Sequence, residues 1–176
     1  MHVEQPRAGV VASLDLERWM RAALAEAEAA GRAREYPIGA VVVLDGKLVG
    51  RGRSRQRERR TQLAHAELDA LLDAGEQILE HHDDAVLFTT VEPCPLCLGA
   101  MVMADVPHVV FAHGDPAVQS HEIVQRIPYV ASHIETYLGG VLREEARSLF
   151  ARYEPRLIPY LDDEVPRHRQ RPRSSR

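Results

Sequence analysis

The chain has few cysteines, no long apolar run and little net charge, and each shortage excludes a class of protein. Its 176 residues include two cysteines, and two cysteines three positions apart cannot form a disulfide framework. No run of about 18 or more apolar residues occurs, so we expect no membrane-spanning helix. The first residues also lack the apolar segment of a signal peptide. We therefore expect a cytoplasmic protein, in which a C-x-x-C pair indicates a metal or redox site.

The net charge of −4 argues against a broad nucleic-acid-binding surface. The charge is uneven, however, because six arginines fall within residues 51–60 and more occur in the tail. The first cluster either holds a phosphate or forms a solvated loop, and the loop is favoured because Glu58 lies within it. The tail has no aromatic residue for base stacking. A nucleic-acid partner is thus possible but not favoured.

The length and ordinary composition fit a single domain. We expect a flexible N-terminus over residues 1–12, a folded domain over residues 13–163, and a basic, disordered tail over residues 164–176. Apolar periodicity predicts the element order α-β-β-α-β-α-β-α-β-α, which indicates a mixed sheet with helices on both faces.

Three predicted elements bear on the site. A helix is expected over residues 64–74, ended by Gly75, and a strand over residues 85–89 leads into the cysteine segment. A fifth strand is expected over residues 133–138. About twenty residues separate it from the fourth strand, enough for a crossover helix, so these two strands can be parallel.

Both cysteines and one histidine have the spacing of a metal site. Zinc prefers cysteine sulfur and histidine nitrogen, and catalytic zinc keeps three protein ligands with one position open to water. His65, Cys94 and Cys97 supply that number. The lack of a third cysteine excludes sites with four cysteines, or with three cysteines and a histidine, within one chain. A site of two cysteines and two histidines remains open.

Glu67 follows the histidine by two positions in the motif His65-Ala66-Glu67. A carboxylate beside a zinc-activated water can take its proton and return it to a leaving nitrogen. This chemistry suits replacement of an amine by oxygen on an amidine-like carbon. A purely redox or structural C-x-x-C pair leaves the His-x-Glu motif unexplained.

These motifs resemble those of the cytidine deaminase-like superfamily, and the resemblance extends over about residues 14–163. The pattern H-x-E followed by P-C-x-x-C is typical of zinc deaminases. The similar branch includes tRNA adenosine deaminase, guanine deaminase and yeast-type cytosine deaminase. The residues that carry the resemblance are Tyr36-Pro37-Ile38-Gly39-Ala40-Val41, His65-Ala66-Glu67 and Glu92-Pro93-Cys94-Pro95-Leu96-Cys97-Leu98-Gly99-Ala100.

The resemblance implies a three-layer α/β/α fold with a mixed five-stranded sheet, and a homodimer. It implies Zn²⁺ on His65, Cys94 and Cys97, with Glu67 as the proton shuttle. It also implies substrate contacts from backbone groups near Ala66 and Glu92, and a pocket lined by Ile38.

Two departures concern the substrate. Many relatives have an asparagine eleven residues before the zinc histidine, and here that position is Ser54. Serine is shorter and offers only a hydroxyl, so the pocket either reaches the base through water or accepts a different substrate. The end Tyr160-Leu161-Asp162-Asp163 resembles the tail of yeast-type cytosine deaminase. There Tyr160 would cover the base and Asp163 would accept a hydrogen bond from it; a solvated acidic helix end is the alternative.

Three hypotheses follow. The leading one is zinc-dependent hydrolytic deamination of a small nucleobase-type substrate, cytosine- or guanine-like, with release of ammonia. The second is a tRNA-specific adenosine deaminase. The third is a non-enzymatic, zinc-stabilised binding module.

Overall fold

The computed structural model of the chain describes residues 9–162, and their elements follow the expected order. The strands are β1 Gly39–Leu44, β2 Lys47–Arg53, β3 Val86–Val91, β4 His108–His113 and β5 Thr136–Gly139. The helices are α1 Gly9–Ala12, α2 Leu16–Arg32, α3 Ala66–Leu79, α4 Pro95–Met103, α5 Ser120–Arg126, α6 Pro128–Ala131, α7 Arg143–Tyr153 and α8 Ile158–Leu161. Single 3₁₀ turns span His82–Asp84 and Pro155–Leu157.

The five strands form one mixed sheet in the order β2-β1-β3-β4-β5. Strand β1 is antiparallel to both neighbours, whereas β3, β4 and β5 are mutually parallel. The carboxyl ends of β2, β3 and β4 therefore lie at the same end of the sheet as the amino end of β1. The expected mixed α/β architecture and the parallel pairing of the last two strands are confirmed.

Each face of the sheet carries its own apolar core. Side chains alternate along a strand, so Val42 of β1 packs towards α3 and α4, while Val41 and Val43 pack towards α2 and α7. Helices thus cover both faces, as the three-layer fold requires.

Glycines let two helices lie directly on the strands. A Cβ atom on Gly52 of β2 would lie 2.1 Å from the carbonyl oxygen of Ala66, and one on Gly39 would lie 2.3 Å from that of Ala23. Both distances are far shorter than any van der Waals contact, so neither strand position tolerates a side chain without movement of the helix. Gly52 therefore fixes the start of α3, where His65 and Glu67 lie.

Two expectations about element bounds need correction, and a third is confirmed. Residues 9–12 of the expected flexible N-terminus form a helical turn, in which Val11 is buried against the core of α2 and α7. The expected helix end at Gly75 is confirmed: the backbone leaves helical geometry there, with φ of 39°, and only a short second helical stretch, with Ile78 buried, follows to Leu79. Strand β5 begins at Thr136 rather than at His133, because the N–H groups of His133 and Ile134 bond to the carbonyl of Val130 at the end of α6.

Residues 1–8 and the basic tail expected over residues 164–176 lie outside the described part of the chain. Across residues 9–162, no helix combines the length and the apolar character needed to cross a membrane.

Candidate metal and catalytic site

Two neighbouring helix starts bring the expected metal ligands together. His65 immediately precedes α3, Cys94 immediately precedes α4, and Cys97 lies in the first turn of α4. The partial positive charge at a helix N-terminus stabilises a thiolate. The sequence motifs therefore place their ligands where the backbone already favours the anionic form of cysteine.

The ligand atoms have the spacing of a shared coordination shell. His65 Nδ1 lies 3.3 Å from Cys97 Sγ and 3.5 Å from Cys94 Sγ, and the two sulfur atoms are 3.6 Å apart. Tetrahedral zinc would place two sulfur ligands about 3.8 Å apart, and sulfur and nitrogen about 3.6 Å apart. The three side chains thus fit zinc after shifts of a few tenths of an ångström. Within residues 9–162, the group of converging ligand atoms consists of these three side chains, and no second histidine joins it as a fourth ligand.

The two thiols are in direct contact, with their sulfur atoms 3.6 Å apart. Their mutual hydrogen bond, together with that from His65, lowers the pKa of Cys94 to about 4. The same thiol–thiol bond raises the pKa of Cys97, and burial adds to the effect. Both thiols are deprotonated when a divalent metal binds, so metal binding at this site is expected to release protons.

Glu67 lies beside the cluster and is itself buried. Its Oε2 is 3.4 Å from Cys97 Sγ, and its Oε1 accepts a hydrogen bond of 3.1 Å from the hydroxyl of Thr89. Burial raises the pKa of the Glu67 carboxyl. A buried carboxylate with a raised pKa next to a metal site has the properties of a group that takes up and returns protons.

A cavity of about 270 Å³ opens onto the cluster and Glu67. Its volume lies just below the usual range for small-molecule pockets, about 300–1,000 Å³. It is lined by Tyr36, Ile38, Ser54, Gln56, His65, Ala66, Glu67, Val91, Glu92, Cys94, Asp115, Val118, Phe150, Leu157 and Leu161.

Four of the residues expected to contact substrate line this cavity: Ile38, Ser54, Ala66 and Glu92. The hydroxyl of Ser54 is buried and has no hydrogen-bond partner in the described part of the chain. Buried polar atoms are nearly always paired, so this hydroxyl is a candidate for a bond to a ligand.

Both carboxylate oxygens of Glu92 accept hydrogen bonds from within the protein. Its Oε1 accepts a hydrogen bond of 2.7 Å from the hydroxyl of Tyr137, and its Oε2 accepts one of 2.9 Å from the backbone N–H of Asp115. Burial, followed by the bond to Glu92, raises the pKa of Tyr137. Glu92 thereby ties the loop after β4 to β5. Its own N–H donates to the carbonyl of His113 at 2.7 Å, which leaves its backbone carbonyl as the part available to a substrate.

The end of the described chain contributes apolar side chains to the cavity. Tyr160 is not among the residues that line the cavity; Leu157 and Leu161, one helical turn apart, take that place. Asp162 pairs with Arg147 at 2.6 Å, and Asp163 lies outside the described residues. An apolar pair spaced by four could have indicated Leu157 and Leu161 in advance.

The arginine-rich loop is held by carboxylates rather than left free for phosphate. Four of its six arginines have an acidic partner within 4.0 Å, which supports the interpretation as a surface loop. The pairs are Arg51–Glu26 at 3.4 Å, Arg55–Asp69 at 3.3 Å, Arg57–Glu154 at 2.6 Å and Arg59–Asp69 at 3.1 Å.

Comparison with known proteins gives deaminase relatives. The family model of MafB19-like deaminases matches residues 14–144. The tRNA-specific adenosine deaminase of Bacillus subtilis (strain 168) is 31% identical over 144 residues, which are 76% of this chain and 89% of that protein. A tRNA(Ile)-lysidine synthase of Deinococcus radiodurans is 43% identical over 135 residues, or 74% of this chain and 23% of the synthase.

Shorter matches include the tRNA-specific adenosine deaminase of Streptococcus pyogenes serotype M18 (strain MGAS8232), 39% identical over 98 residues. That alignment covers 53% of this chain and 59% of the relative. The chain thus spans less than a quarter of the lysidine synthase and a little over half of this streptococcal protein.

Solved structures show the same fold. A structure from a study of A-to-I editing by tRNA:A34 deaminases is 33% identical, with a TM-score of 0.66, and covers 75% of this chain and 98% of that one. The guanine deaminase of Nitrosomonas europaea is 24% identical, with a TM-score of 0.64, and covers 87% and 95% of the two chains; this likeness concerns the fold alone. The family match over most of the folded residues and these shared folds lead to one conclusion: the chain belongs to the MafB19-like deaminases, within the cytidine deaminase-like superfamily.

Proposed function

We propose that this chain is a zinc-dependent hydrolytic deaminase that acts on a small, nucleobase-type heterocycle. The reaction would convert an exocyclic amine and water into a carbonyl and ammonia. One observation carries the proposal: a buried, proton-accepting carboxylate, Glu67, lies beside a three-ligand cluster at the base of a cavity.

Each residue of the site has a separate role. His65, Cys94 and Cys97 would hold zinc, which when bound supplies a Lewis acid that lowers the pKa of water to about 7. Glu67 accepts the proton of the attacking water and delivers it to the leaving amine. Thr89 holds one oxygen of Glu67, which orients the carboxylate.

The cavity supports a small substrate. Apolar side chains of Phe150, Leu157 and Leu161 form part of its wall and exclude water from a bound heterocycle. Backbone groups at Ala66 and Glu92 would bind the ring. The unpaired hydroxyl of Ser54 then offers one further hydrogen bond to the ring edge or a substituent. A volume of about 270 Å³ suits a free base, cytosine- or guanine-like, better than a larger ligand.

A panel measurement of ammonia release tests the substrate class. Cytosine, guanine, adenine, their nucleosides and aminotriazines are each incubated with the zinc-loaded protein. Turnover of a free base with little turnover of its nucleoside supports the proposal. Release from nucleosides alone contradicts the small-substrate assignment, and no release from any compound or RNA would favour the zinc-stabilised binding module.

A second candidate, a tRNA-specific adenosine deaminase, is favoured by the relatives. The Bacillus subtilis protein of that name is covered over 89% of its length. If RNA is the substrate, an anticodon stem-loop should bind with an affinity that falls steeply as salt increases. Inosine formation in such an RNA, without turnover of free bases, would establish this candidate instead.

We also propose a homodimer that forms through the helices carrying the ligands. Leu72 of α3 and Met103 of α4 are 77% and 76% exposed, and Leu63 and Leu96 near the starts of these helices are exposed as well. Helices α3 and α4 pack against each other, and exposed apolar side chains grouped on packed helices are typical of an interface. Sedimentation should show a dimer that Met103→Glu weakens; an unchanged monomer over the accessible concentrations would contradict the proposal.

A further inference from the structure

Arg57 connects three segments that are far apart in the sequence. One guanidinium nitrogen donates to the backbone carbonyl of Arg34, and another donates to Glu154 Oε2 at 2.6 Å. The guanidinium also lies 4.5 Å from the ring centroid of Tyr36, in a cation–π arrangement. Arginine suits this position because its planar group can stack and form several directed bonds at once.

The backbone at Arg57 is fixed separately by a buried acid. Glu35 accepts hydrogen bonds from the backbone N–H groups of Arg57, at 2.9 Å, and Glu58, at 2.6 Å. Glu35 is only 4% exposed, so these two bonds satisfy a carboxylate that would otherwise be costly to bury. The loop is thereby anchored to the turn that precedes β1.

The far end of the connection is also buried. Glu154 is 5% exposed and receives bonds from Arg156, at 2.7 and 3.2 Å, as well as from Arg57. The bonds from Arg156 and Arg57 lower the pKa of Glu154, so it is ionised near neutral pH. Its carbonyl accepts the N–H of Leu157 at 2.9 Å, which begins the turn leading to Leu161.

Each connected segment supplies part of the cavity wall. The first contributes Tyr36 and Ile38, the second contributes Ser54 and Gln56, and the third contributes Leu157 and Leu161. The side chain of Arg57 is not among the lining residues of the described chain, and neither is that of Glu154. Arg57 can therefore act on a ligand only through the residues it holds in place.

We propose that Arg57 is a positioning residue that fixes three walls of the cavity together, through Glu154, Tyr36 and the Arg34 carbonyl, and so determines how tightly the substrate is held. The inference rests on the proposed function of the cavity as the substrate site. A role as a phosphate anchor is a poorer account, because the guanidinium is already engaged by a carboxylate, a carbonyl and an aromatic ring.

The same loop offers a matched control. The side chain of Arg59 pairs with Asp69 at 3.1 Å, is exposed to a similar extent, and makes no described bond to the three walls. Arg57→Met and Arg59→Met each remove one guanidinium and one ion pair from the loop. Glu154→Gln removes the buried charge at the other end of the connection while keeping its shape.

The test combines amide hydrogen exchange with steady-state kinetics on the zinc-loaded protein. Arg57→Met and Glu154→Gln should both speed exchange in residues 54–61 and 154–162, whereas Arg59→Met should not affect residues 154–162. With the substrate found in the panel, KM should rise at least ~10-fold in both variants, with a smaller change in kcat and unchanged zinc content. Combining the two substitutions should add little to either alone, since they break one connection.

Unchanged exchange over residues 154–162 in Arg57→Met, or an equal rise in KM in Arg59→Met, would overturn the inference. If Arg57→Met does not fold, Arg57→Lys is used instead. It retains the charge but lacks the planar guanidinium that stacks on Tyr36, and we expect an intermediate increase in exchange and in KM. An absence of deaminase activity in the unsubstituted protein would refute the proposed function, yet the exchange comparison would still decide whether Arg57 joins the three walls.

Discussion

The hydroxyl of Thr89, in the centre of β3, donates a hydrogen bond of 3.1 Å to Glu67 Oε1. Both residues are buried, so water cannot replace this bond. Thr89→Val removes the donor without changing side-chain volume. Because bonds to charged groups contribute about 1.5–3 kcal/mol, kcat should fall between about 12- and 160-fold with zinc retained.

Thr90→Val is the control for that substitution. The Thr90 hydroxyl accepts the backbone N–H of Gly39 at 3.1 Å, so its loss should lower thermal stability with little change in kcat. Thr89→Ser should restore most of the activity. Equal activity in Thr89→Val and the unsubstituted protein would show that Glu67 needs no such support.

Gly52→Ala tests the close contact between β2 and α3. The new methyl group would lie 2.1 Å from the carbonyl oxygen of Ala66 and 2.2 Å from the backbone nitrogen of Ala70. Relief of this overlap requires movement of the helix, and the free energy of unfolding should fall by about 3 kcal/mol. Denaturant titration measures the loss. At Gly99, in α4, an added methyl group meets nothing within 4 Å, and Gly99→Ala should be neutral or stabilising by up to ~1 kcal/mol.

His108 should make stability depend on pH. Burial lowers its pKa below 6.5, although Glu135, 4.0 Å away, and Asp84 oppose the shift. Below pH 6.5, His108 of the unfolded chain therefore binds a proton more readily than His108 of the folded protein. The free energy of unfolding should fall as pH decreases through and below this value. Urea unfolding between pH 8 and pH 5 measures the slope. His108→Asn should flatten it, while substitution of the exposed His81 should not; the reverse would show that His108 is not the titrating group.

Ser54→Ala separates stability from binding. Because the Ser54 hydroxyl has no partner among the described residues, its removal should leave the free energy of unfolding unchanged or slightly increased. Loss of a hydrogen bond to the substrate, about 0.5–1.5 kcal/mol, should raise KM about 2- to 12-fold. Reduced stability with unchanged KM would mean that the hydroxyl serves the fold.

The sequence predicted the site best where a motif lies at the start of a helix, directly beside a predicted strand. His65, Cys94 and Cys97 start two helices beside predicted strands, so their convergence followed from the motifs. The break at Gly75 was predicted from the glycine itself, whereas the short helical stretch beyond it, held by the buried Ile78, was not.

Long-range pairing could not be predicted in this way. The bond between Arg57 and Glu154 joins residues 97 positions apart, and no periodicity or motif links them. The place of Leu157 and Leu161 in the cavity wall was missed for a related reason: the resemblance of the chain end pointed to Tyr160 and Asp163, and nothing in the local sequence shows which apolar side chains pack against the cavity.

The central claim, that Glu67 moves protons beside zinc held by His65, Cys94 and Cys97, is tested most directly by one paired measurement. Zinc content and ammonia release are determined for the unsubstituted protein and for Glu67→Gln. We expect one zinc ion per chain in both proteins, and a loss of ammonia release of about 10²–10⁴-fold in the variant. Purified protein without zinc, or turnover by Glu67→Gln equal to that of the unsubstituted chain, would contradict the mechanism.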